Sequence, residues 1–147
     1  MRDSFIDPQL GEFIFDEKEE KFIKTVQFKR GKIQVEAADM GCIEVFRRSH
    51  ADFDKFFEEA SRFAASQLIG LANDWGIDSW CEENPEADED DYIELTKDEF
   101  AERIRPMYFI LEKDGGYYLE YDDDDIFLGH RIHFTGSLEG GFKEASI

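Results

Sequence analysis

The sequence predicts an α+β fold in which an antiparallel sheet carries one long amphipathic helix and one short helix, both packed on one face of the sheet. Two patterns favour this fold. Residues in the first and last thirds of the chain alternate between apolar and polar, as in strands with one buried face. Between residues 53 and 75, apolar residues recur at helical steps of three and four. The length of 147 residues suits a single globular domain spanning residues 1–147.

Three strands are predicted before the long helix. GEFIFDE, which begins at Gly11, is typical of a short strand, and KFIKTVQFK and KIQVEAA are expected to form a hairpin around a turn at Arg30–Gly31. The apolar pattern of the first hairpin strand is irregular, which leaves room for a β-bulge. The buried face of the hairpin is expected to hold Phe22, Thr25 or Val26, Phe28, Ile33 and Val35.

An aromatic and aliphatic stripe defines the long helix. Ser49 or Asp52 is suited to cap its N-terminus, and Gly76 stands where a left-handed residue would end it. Because the stripe occupies one side of the helix, we expect that side to lie on the sheet. The stripe consists of Phe53, Phe56, Phe57, Ala60, Phe63, Ala64, Leu68, Leu71, Ala72 and Trp75.

An acidic surface loop is predicted at about residues 81–94, with the sequence CEENPEADEDDYIE. It contains eight carboxylates and no basic residue, so we expect it to be solvated. TKDEFAERI then has the pattern of a short helix, in which Thr96 and Glu99 have the spacing of a capping box. Arg105–Pro106 is expected to end this helix.

The rest of the chain is predicted to be a meander of strands. MYFILEK and YYLEY flank Asp114–Gly116, a strong hairpin signal. IFLGHRIHF has the alternation of a further strand, and Gly129 within it indicates a bulge or a close approach of another backbone. A turn at Ser137–Gly141 then leads into FKEASI.

Charge limits the classes of partner. The chain has a net charge of -19, from 17 basic and 36 acidic residues, and the excess is concentrated after Trp75. Such a field repels nucleic acid and anionic membranes and attracts a basic protein. We therefore expect a basic protein partner, with no nucleic acid and no membrane, while the sequence leaves the oligomeric state open.

The cysteines and the N-terminal residues favour a cytoplasmic protein. Cys42 and Cys81 are too few for a disulfide framework, so we expect reduced thiols. The acidic residues that follow Cys81 should raise the pKa of its thiol and lower its reactivity. MRDSFIDPQLGEF lacks the apolar region of a signal peptide, and nothing in the chain predicts membrane insertion.

The stretch YDDDDIFLGHRIHF raises the question of metal or acid–base chemistry. Alternate aspartates of an extended segment point apart, and His130 and His133 would lie on opposite faces of a strand. We therefore expect no catalytic residue, no metal and no cofactor, and we interpret Gly129 and His130 as structural, with the ring of His130 bonded to a carbonyl or a nearby aspartate. The alternative is a divalent-metal-dependent hydrolase that uses Asp122–Asp125 and His130.

Four stretches carry a family resemblance: LANDW (71–75), LTKDEFAERI (95–104), the acidic turn before IFLGHRI, and GSLEGGFKEASI. In this order they resemble the bacterial domain-of-unknown-function family DUF2262, with the related DUF2004 group as second choice, over about residues 68–147. The motif Asp-x-Phe-x-Gly-His-x-Ile, here residues 125–132, is part of that resemblance. The resemblance implies an intracellular bacterial protein and brings no established chemistry.

By size and charge, the chain is similar to the immunity proteins of polymorphic and contact-dependent toxin systems. The first hypothesis is thus a non-enzymatic immunity protein that blocks a basic cognate toxin such as a nuclease. The metal-dependent hydrolase and a housekeeping adaptor that pairs through a sheet edge are the alternatives. The predicted partner-binding surface consists of Trp80, Glu82, Glu83, Glu86, Asp88, Glu89, Asp90, Asp91, Tyr92, Tyr121, Asp122, Asp123, Asp124 and Asp125.

Overall fold

The computed structural model describes residues 3–147, which form one eight-stranded sheet, three α-helices and a short 3₁₀ helix. The helices are α1 (Met40–Ser49), α2 (Phe53–Glu83), the 3₁₀ helix (Glu89–Asp91) and α3 (Lys97–Arg103). The strands are β1 (Ser4–Asp7), β2 (Gly11–Asp16), β3 (Lys21–Phe28), β4 (Gly31–Ala37), β5 (Arg105–Leu111), β6 (Gly116–Asp122), β7 (Ile132–Ser137) and β8 (Gly141–Phe142).

The sheet follows chain order from β1 to β8, and this arrangement confirms the α+β prediction. Neighbouring strands are antiparallel except β4 and β5, which are parallel. A parallel pair needs a long crossover, and here all the helices lie between β4 and β5. The sheet is therefore mostly, rather than wholly, antiparallel, and the helices number three rather than two within residues 3–147.

The hairpin of β3 and β4 is confirmed. Its residues pair without a shift from Phe22 opposite Ala37 to Phe28 opposite Gly31, so the bulge allowed for in β3 is not present. Val26 is partly buried and Thr25 is exposed, which decides between the two inward candidates. A register shift lies instead in β5, between Pro106 and Tyr108, because proline has no amide hydrogen to donate to a ladder.

The sequence prediction missed β1 and α1. Asp39 caps α1, since its side chain accepts a hydrogen bond from the amide of Cys42 at 3.1 Å. Ile43 and Phe46, three residues apart, are buried beneath the helix. These are the cap and the helical spacing that could have revealed α1 in the sequence.

The long helix α2 extends further than its apolar stripe predicted. Asp52 caps its start, as expected, by accepting from the amide of Lys55 at 3.1 Å. Gly76 does not end the helix, which continues to Glu83 and is capped by Asn84. The predicted acidic loop therefore begins later, because residues 81–83 are helical, and we call residues 84–94 the acidic segment.

Aromatic side chains from α1, α2 and the sheet pack together in the core. The ring of Phe46 lies 4.8 Å from that of Phe56 and 5.0 Å from that of Phe109, both in edge-to-face contact. All three side chains are at most 1% exposed. Edge-to-face pairs add about 0.5–1.5 kcal/mol each beyond the area they bury. This cluster thus joins α1, α2 and β5.

Tyr121 belongs to this core, which corrects its predicted role as a surface anchor for a partner. Its side chain is 0% exposed, and its hydroxyl donates to the carbonyl of Phe57 at 2.9 Å. Burial raises the pKa of the hydroxyl well above its usual value. A tyrosine at this position of β6 faces α2 because side chains alternate along a strand.

No helix within residues 3–147 combines the length and apolarity that crossing a bilayer requires.

A buried carboxylate ties the first turn of the sheet to α1. Asp7 is 2% exposed and accepts hydrogen bonds from the amides of Gln9 at 3.0 Å and Leu10 at 2.8 Å, and it forms an ion pair with Arg47. Burial by itself raises the pKa of this carboxyl. The hydrogen bonds from Arg47 and the two amides outweigh burial, so the pKa lies below its usual 3.8.

We predict that Asp7→Asn lowers the free energy of unfolding at pH 7 by about 2–3 kcal/mol, because it leaves Arg47 without its buried counter-charge. A carboxyl with a depressed pKa stabilises the fold above its unfolded pKa, and this contribution is lost as the pH falls through the folded value. The deficit should therefore shrink below about pH 4. Urea unfolding at pH 7 and pH 3 measures it.

Asp16→Asn is the matched control, because Asp16 also accepts amides in a tight turn, from Lys18 and Glu19, near the surface. It should change the free energy of unfolding by no more than about 0.5 kcal/mol at either pH. A deficit for Asp7→Asn that is as large at pH 3 as at pH 7 would contradict the assigned ion pair.

Candidate functional site

An open groove of about 380 Å³ lies where the second half of α2, α3 and the turn between β6 and β7 meet. Ala72 and Ile126 in it are buried, whereas Ile93 and Leu128 are exposed. Its carboxylates are Glu83, Glu94, Glu99 and Asp125, and Arg103 is the basic residue lining it. We call this feature, with its apolar base and acidic rim, the acidic groove.

Asn73 holds the end of the acidic segment against α2. Its side-chain oxygen accepts from the amide of Leu95 at 2.7 Å, and its side-chain nitrogen donates to the carbonyl of Leu95 at 3.0 Å. The hydroxyl of Tyr92 also donates to that side-chain oxygen at 3.2 Å. One asparagine thus holds both backbone polar groups of Leu95 and the hydroxyl of Tyr92, and both of these residues line the groove.

Gly76 leaves room for Tyr92. A Cβ at Gly76 would lie 2.1 Å from the hydroxyl oxygen of Tyr92 and 3.1 Å from the ring carbon that bears it. Glycine within a helix costs about 1 kcal/mol relative to alanine. The close approach of Tyr92 therefore explains why glycine occupies a helical position at which the sequence predicted a helix end.

Asp123 organises the turn between β6 and β7, residues 123–131. Its carboxylate accepts from the amides of Phe127 at 2.9 Å and Gly129 at 3.0 Å, and it is 1% exposed. A buried carboxylate satisfied by backbone amides is a structural element. The expectation that Asp123 lies on the partner-binding surface is therefore wrong.

The same turn has an unusual backbone. Asp124, Asp125 and Leu128 have φ of 50°, 59° and 56°, and Gly129 has 91°. Aspartate and glycine adopt this left-handed region readily, but leucine does so at a cost of about 1–2 kcal/mol. Leu128 is nevertheless 69% exposed, so burial of its side chain does not offset that cost.

Arg103 connects α3 to the turn. Its Nε donates to the carboxylate of Asp124 at 2.8 Å, and its Nη2 donates to the carbonyl of the same residue at 2.8 Å. The guanidinium charge is thus paired with a residue outside the groove lining. The groove consequently keeps a negative balance, from four carboxylates against one paired arginine among the described residues.

The structure brings parts of both predicted acidic stretches to this groove. Glu83 and Tyr92 from the first stretch and Asp125 from the second line it. Trp80 is partly buried, with its ring 6.1 Å from that of Tyr92. Apart from the buried Asp123, the predicted carboxylates outside the groove lining are all exposed: Glu82, Glu86, Asp88, Glu89, Asp90, Asp91, Asp122 and Asp124.

The groove residues that were not predicted to bind a partner include two exposed aliphatic residues, Ile93 and Leu128, and two carboxylates, Glu94 and Glu99. Ile93 and Leu128 are 87% and 69% exposed. A lone aliphatic residue within an acidic stretch was the available signal at Ile93, because a solvated loop does not require one. Leu128 gave no such signal, since its apolar neighbours predicted a strand.

Gly129 and His130 have structural environments that differ from those predicted. The stretch is a turn and not a strand, so Gly129 supplies a left-handed residue rather than a bulge. The ring of His130 is exposed and packs edge-to-face on Trp75 at 5.6 Å. Its expected hydrogen bond to a carbonyl or an aspartate is not found among the described residues.

The aspartates do not gather around a common point. Asp123 is engaged with backbone amides, and Asp124 is paired with Arg103. Within residues 3–147, no three histidine, cysteine, aspartate or glutamate side chains are placed to hold a metal ion. The groove therefore offers charge and apolar contact to a ligand rather than metal ligands.

Both cysteine thiols have a raised pKa, which for Cys81 is the direction that the sequence predicted. Desolvation, followed by the charges of Glu89 and Asp78, raises the pKa of the Cys81 thiol. Burial likewise raises the pKa of Cys42. Because the thiolate is the nucleophile, a raised pKa lowers the fraction of each thiol that is in the nucleophilic form at neutral pH.

Three of the stretches that carry the family resemblance meet at the groove. The ring of Trp75, from LANDW, lies 5.6 Å from that of Phe127, which follows the aspartate run. Phe100, from LTKDEFAERI, lies 6.1 Å from the same ring of Phe127. These aromatic contacts hold α2, α3 and the turn together beneath the acidic groove.

A family model described as an uncharacterized protein conserved in bacteria (DUF2262) matches residues 7–147. The match covers nearly the whole chain, so it includes β2, β3 and β4, which the sequence resemblance did not reach. No curated protein and no solved structure matches the chain.

We predict that Asn73→Ala lowers the free energy of unfolding by about 1–3 kcal/mol, because the backbone amide and the backbone carbonyl of Leu95 both lose their partner. Limited proteolysis should then cut the acidic segment faster. Asn84→Ala is the matched control, since Asn84 donates to the carbonyl of Trp80 at an exposed helix end. Equal effects of the two substitutions, measured by urea unfolding, would contradict the role given to Asn73.

We predict that Leu128→Asn raises the free energy of unfolding by about 0.5–1 kcal/mol, because asparagine tolerates the left-handed conformation better than leucine. Ile93→Asn, at an exposed aliphatic residue with ordinary φ, should change it by less than about 0.5 kcal/mol. Chemical denaturation of both variants measures the difference. A loss of stability in Leu128→Asn would show that the leucine side chain stabilises the fold.

Proposed function

The chain belongs to DUF2262, a family of uncharacterised bacterial proteins, and we propose that it is a non-enzymatic immunity protein that binds and blocks a basic toxin. The observation that carries this proposal is the acidic groove, at which two acidic stretches far apart in the sequence come together beside exposed aliphatic residues. A surface of this kind suits a protein with a basic active site. The proposed site of action is the cytoplasm.

Uncompensated charge at the end of α2 supports a basic partner. The last turn of α2 contains Glu82 and Glu83 and no basic residue. The C-terminus of a helix carries a partial negative charge, so acidic residues there are unfavourable by about 0.3–1 kcal/mol each. The acidic segment that follows adds six more carboxylates. A cationic partner would relieve this repulsion, so the concentration of negative charge at this end of α2 favours binding of a basic protein.

Nucleases are the proposed toxin class. Their active sites hold the phosphates of nucleic acid with lysine and arginine, and carboxylates form charge-assisted hydrogen bonds with the same groups. Long-range attraction would also accelerate association to about 10⁸ M⁻¹s⁻¹ at low salt, with a steep fall as salt increases. The exposed Asp88, Asp90 and Asp91 are suited to this steering role.

The helices are proposed to cover one face of the sheet and to leave the opposite face without helices. Along β5, Phe109 and Leu111 are buried, whereas Tyr108 and Ile110 are only partly buried. The same alternation in β6 buries Leu119 and leaves Tyr118 partly exposed. In this arrangement the acidic groove lies at the end of the helical layer, where a partner has free access.

A housekeeping adaptor is the second candidate. β1 is one of the two edge strands of the sheet, and Ile6 on it is 71% exposed, which suits pairing with a partner strand. The hydrolase alternative requires Asp122–Asp125 and His130 to converge, and no contact described above favours it. The immunity protein and the adaptor differ in whether the captured partner is toxic alone.

The proposal is tested by capturing the partner from the source cell on immobilised protein, with washes at low and then high salt. One basic protein retained at near-stoichiometric yield and released by salt is expected. That protein should be toxic when expressed alone, and co-expression of this chain should prevent the toxicity. A non-toxic captured protein would favour the adaptor, and capture of no basic protein would contradict the proposal.

We predict that reversing charge at Asp88, Asp90 and Asp91 with lysine slows association with the captured partner about tenfold or more at low salt, with an unchanged melting curve. The matched control reverses Glu17, Glu19 and Glu20, which are exposed in the turn between β2 and β3 and change the net charge equally. Stopped-flow association rates measure both variants. Equal slowing would show that only the net charge matters.

A further inference from the structure

We propose that the acidic groove docks one amphipathic cationic segment of the partner, with an apolar side chain between Ile93 and Leu128 and lysine or arginine side chains against Glu83, Glu94 and Asp125. This inference rests on the proposed function, because it specifies the chemistry of the partner at the same site. In this proposal the partner makes its main contact with the groove, and the aspartates of the acidic segment beside it only attract the partner.

Two aliphatic side chains mark the groove as a contact surface. Ile93 and Leu128 are 87% and 69% exposed and both line the groove. Among the described residues, the only other large apolar side chain exposed to a similar degree is Ile6, at 71%, on the edge strand. Single exposed aliphatic residues are ordinary on a protein surface, but two in the lining of one groove give that groove exposed apolar surface for a ligand.

The base of the groove fits an apolar side chain. Ala72 and Ile126 are buried there, and Leu95 beside them is partly buried and held by Asn73. The surface is therefore fixed by packing and hydrogen bonds before a ligand arrives. A preformed surface reduces the ordering cost of binding, which favours it as the place where affinity resides.

The negative charge of the groove limits the classes of ligand that can bind there. Four carboxylates line the groove, and the charge of Arg103 is paired with Asp124. A nucleic acid strand or an anionic membrane would be repelled, and a purely apolar segment would leave the carboxylates without partners. An amphipathic segment with cationic groups on both sides of an apolar one complements both features of the surface.

The size of the groove also favours a segment of a protein over a small ligand. Its volume of about 380 Å³ is near the lower limit of small-molecule pockets, about 300–1,000 Å³, and the groove is partly open to solvent. Small-molecule pockets enclose most of their ligand, whereas a chain segment needs only one side chain to be enclosed.

The test uses three fluorescein-labelled synthetic peptides and fluorescence anisotropy. The first, KRKLFKRK, is amphipathic and cationic; the second replaces its apolar pair with serine; the third replaces its basic residues with glutamate. We expect the first peptide to bind the full chain at least about tenfold more tightly than the second. We expect no binding of the third. Equal binding of the first two peptides would overturn the proposal in favour of diffuse charge attraction.

Variants of the chain locate the contact. Ile93→Ser and Leu128→Asn should each weaken binding of the first peptide about tenfold, whereas Ile6→Ser, at an equally exposed aliphatic residue on β1, should change it by less than about twofold. Equal effects of the three substitutions would overturn the proposal. Leu128→Asn is informative because the fold is predicted to become more stable, so weaker binding cannot result from unfolding.

Removing the charge of two groove carboxylates, one at a time, completes the test. Glu94→Gln and Asp125→Asn should weaken binding of the first peptide by about threefold to tenfold, while Glu139→Gln, an exposed residue remote in sequence from the groove, should have no effect. The same variants, measured with the captured toxin, separate the two proposals. A toxin that binds all of them equally would overturn the groove contact and leave the immunity function standing, whereas absence of any toxic partner would contradict the function.

Discussion

The packing of α2 on the sheet is the interaction on which the rest of the structure depends. The first half of the helix places Phe56 and Phe57 against Phe109 of β5. From the neighbouring strand β6, the hydroxyl of Tyr121 donates a hydrogen bond to the carbonyl of Phe57. The 31 residues of α2 make it about 46 Å long, more than its aromatic stripe requires. Its second half therefore supports the acidic segment and α3, so one helix provides both the core and the wall of the groove.

Several features that lower the stability of the fold occur together at the groove. Carboxylates crowd the C-terminus of α2, Leu128 occupies a left-handed conformation, and Ile93 exposes its side chain to water. Each of these costs stability by itself, and all three lie within one small region. Features that reduce stability without a structural benefit are typical of binding surfaces, where the partner supplies the compensating contacts. This coincidence is the physical basis for placing the proposed binding site here.

Part of the candidate site could be predicted from the sequence. The acidic stretches are visible in the composition, and the structure places Glu83, Tyr92 and Asp125, which were chosen from these stretches, in the lining of one groove. Tyr121 and Asp123 were chosen from the same stretches, but the structure buries them. Tyr121 is buried because side chains alternate between the two faces of β6, and Asp123 is buried because its carboxylate accepts amides of its own turn. Neither cause depends on the residue type alone.

The sequence by itself determined the elements whose causes are local. The hairpin at Arg30–Gly31, the cap at Asp52, and the capping box of Thr96 and Glu99 arise from residues that are neighbours in the chain, and all three are present. Only the tertiary structure decided that Gly76 lies inside a helix, because the reason is Tyr92, which packs against it from a distant loop. It also decided that two acidic stretches share one groove. Local hydrogen bonds and side-chain periodicity act over a few residues, whereas these decisions depend on contacts between residues far apart in the chain, which no local pattern records.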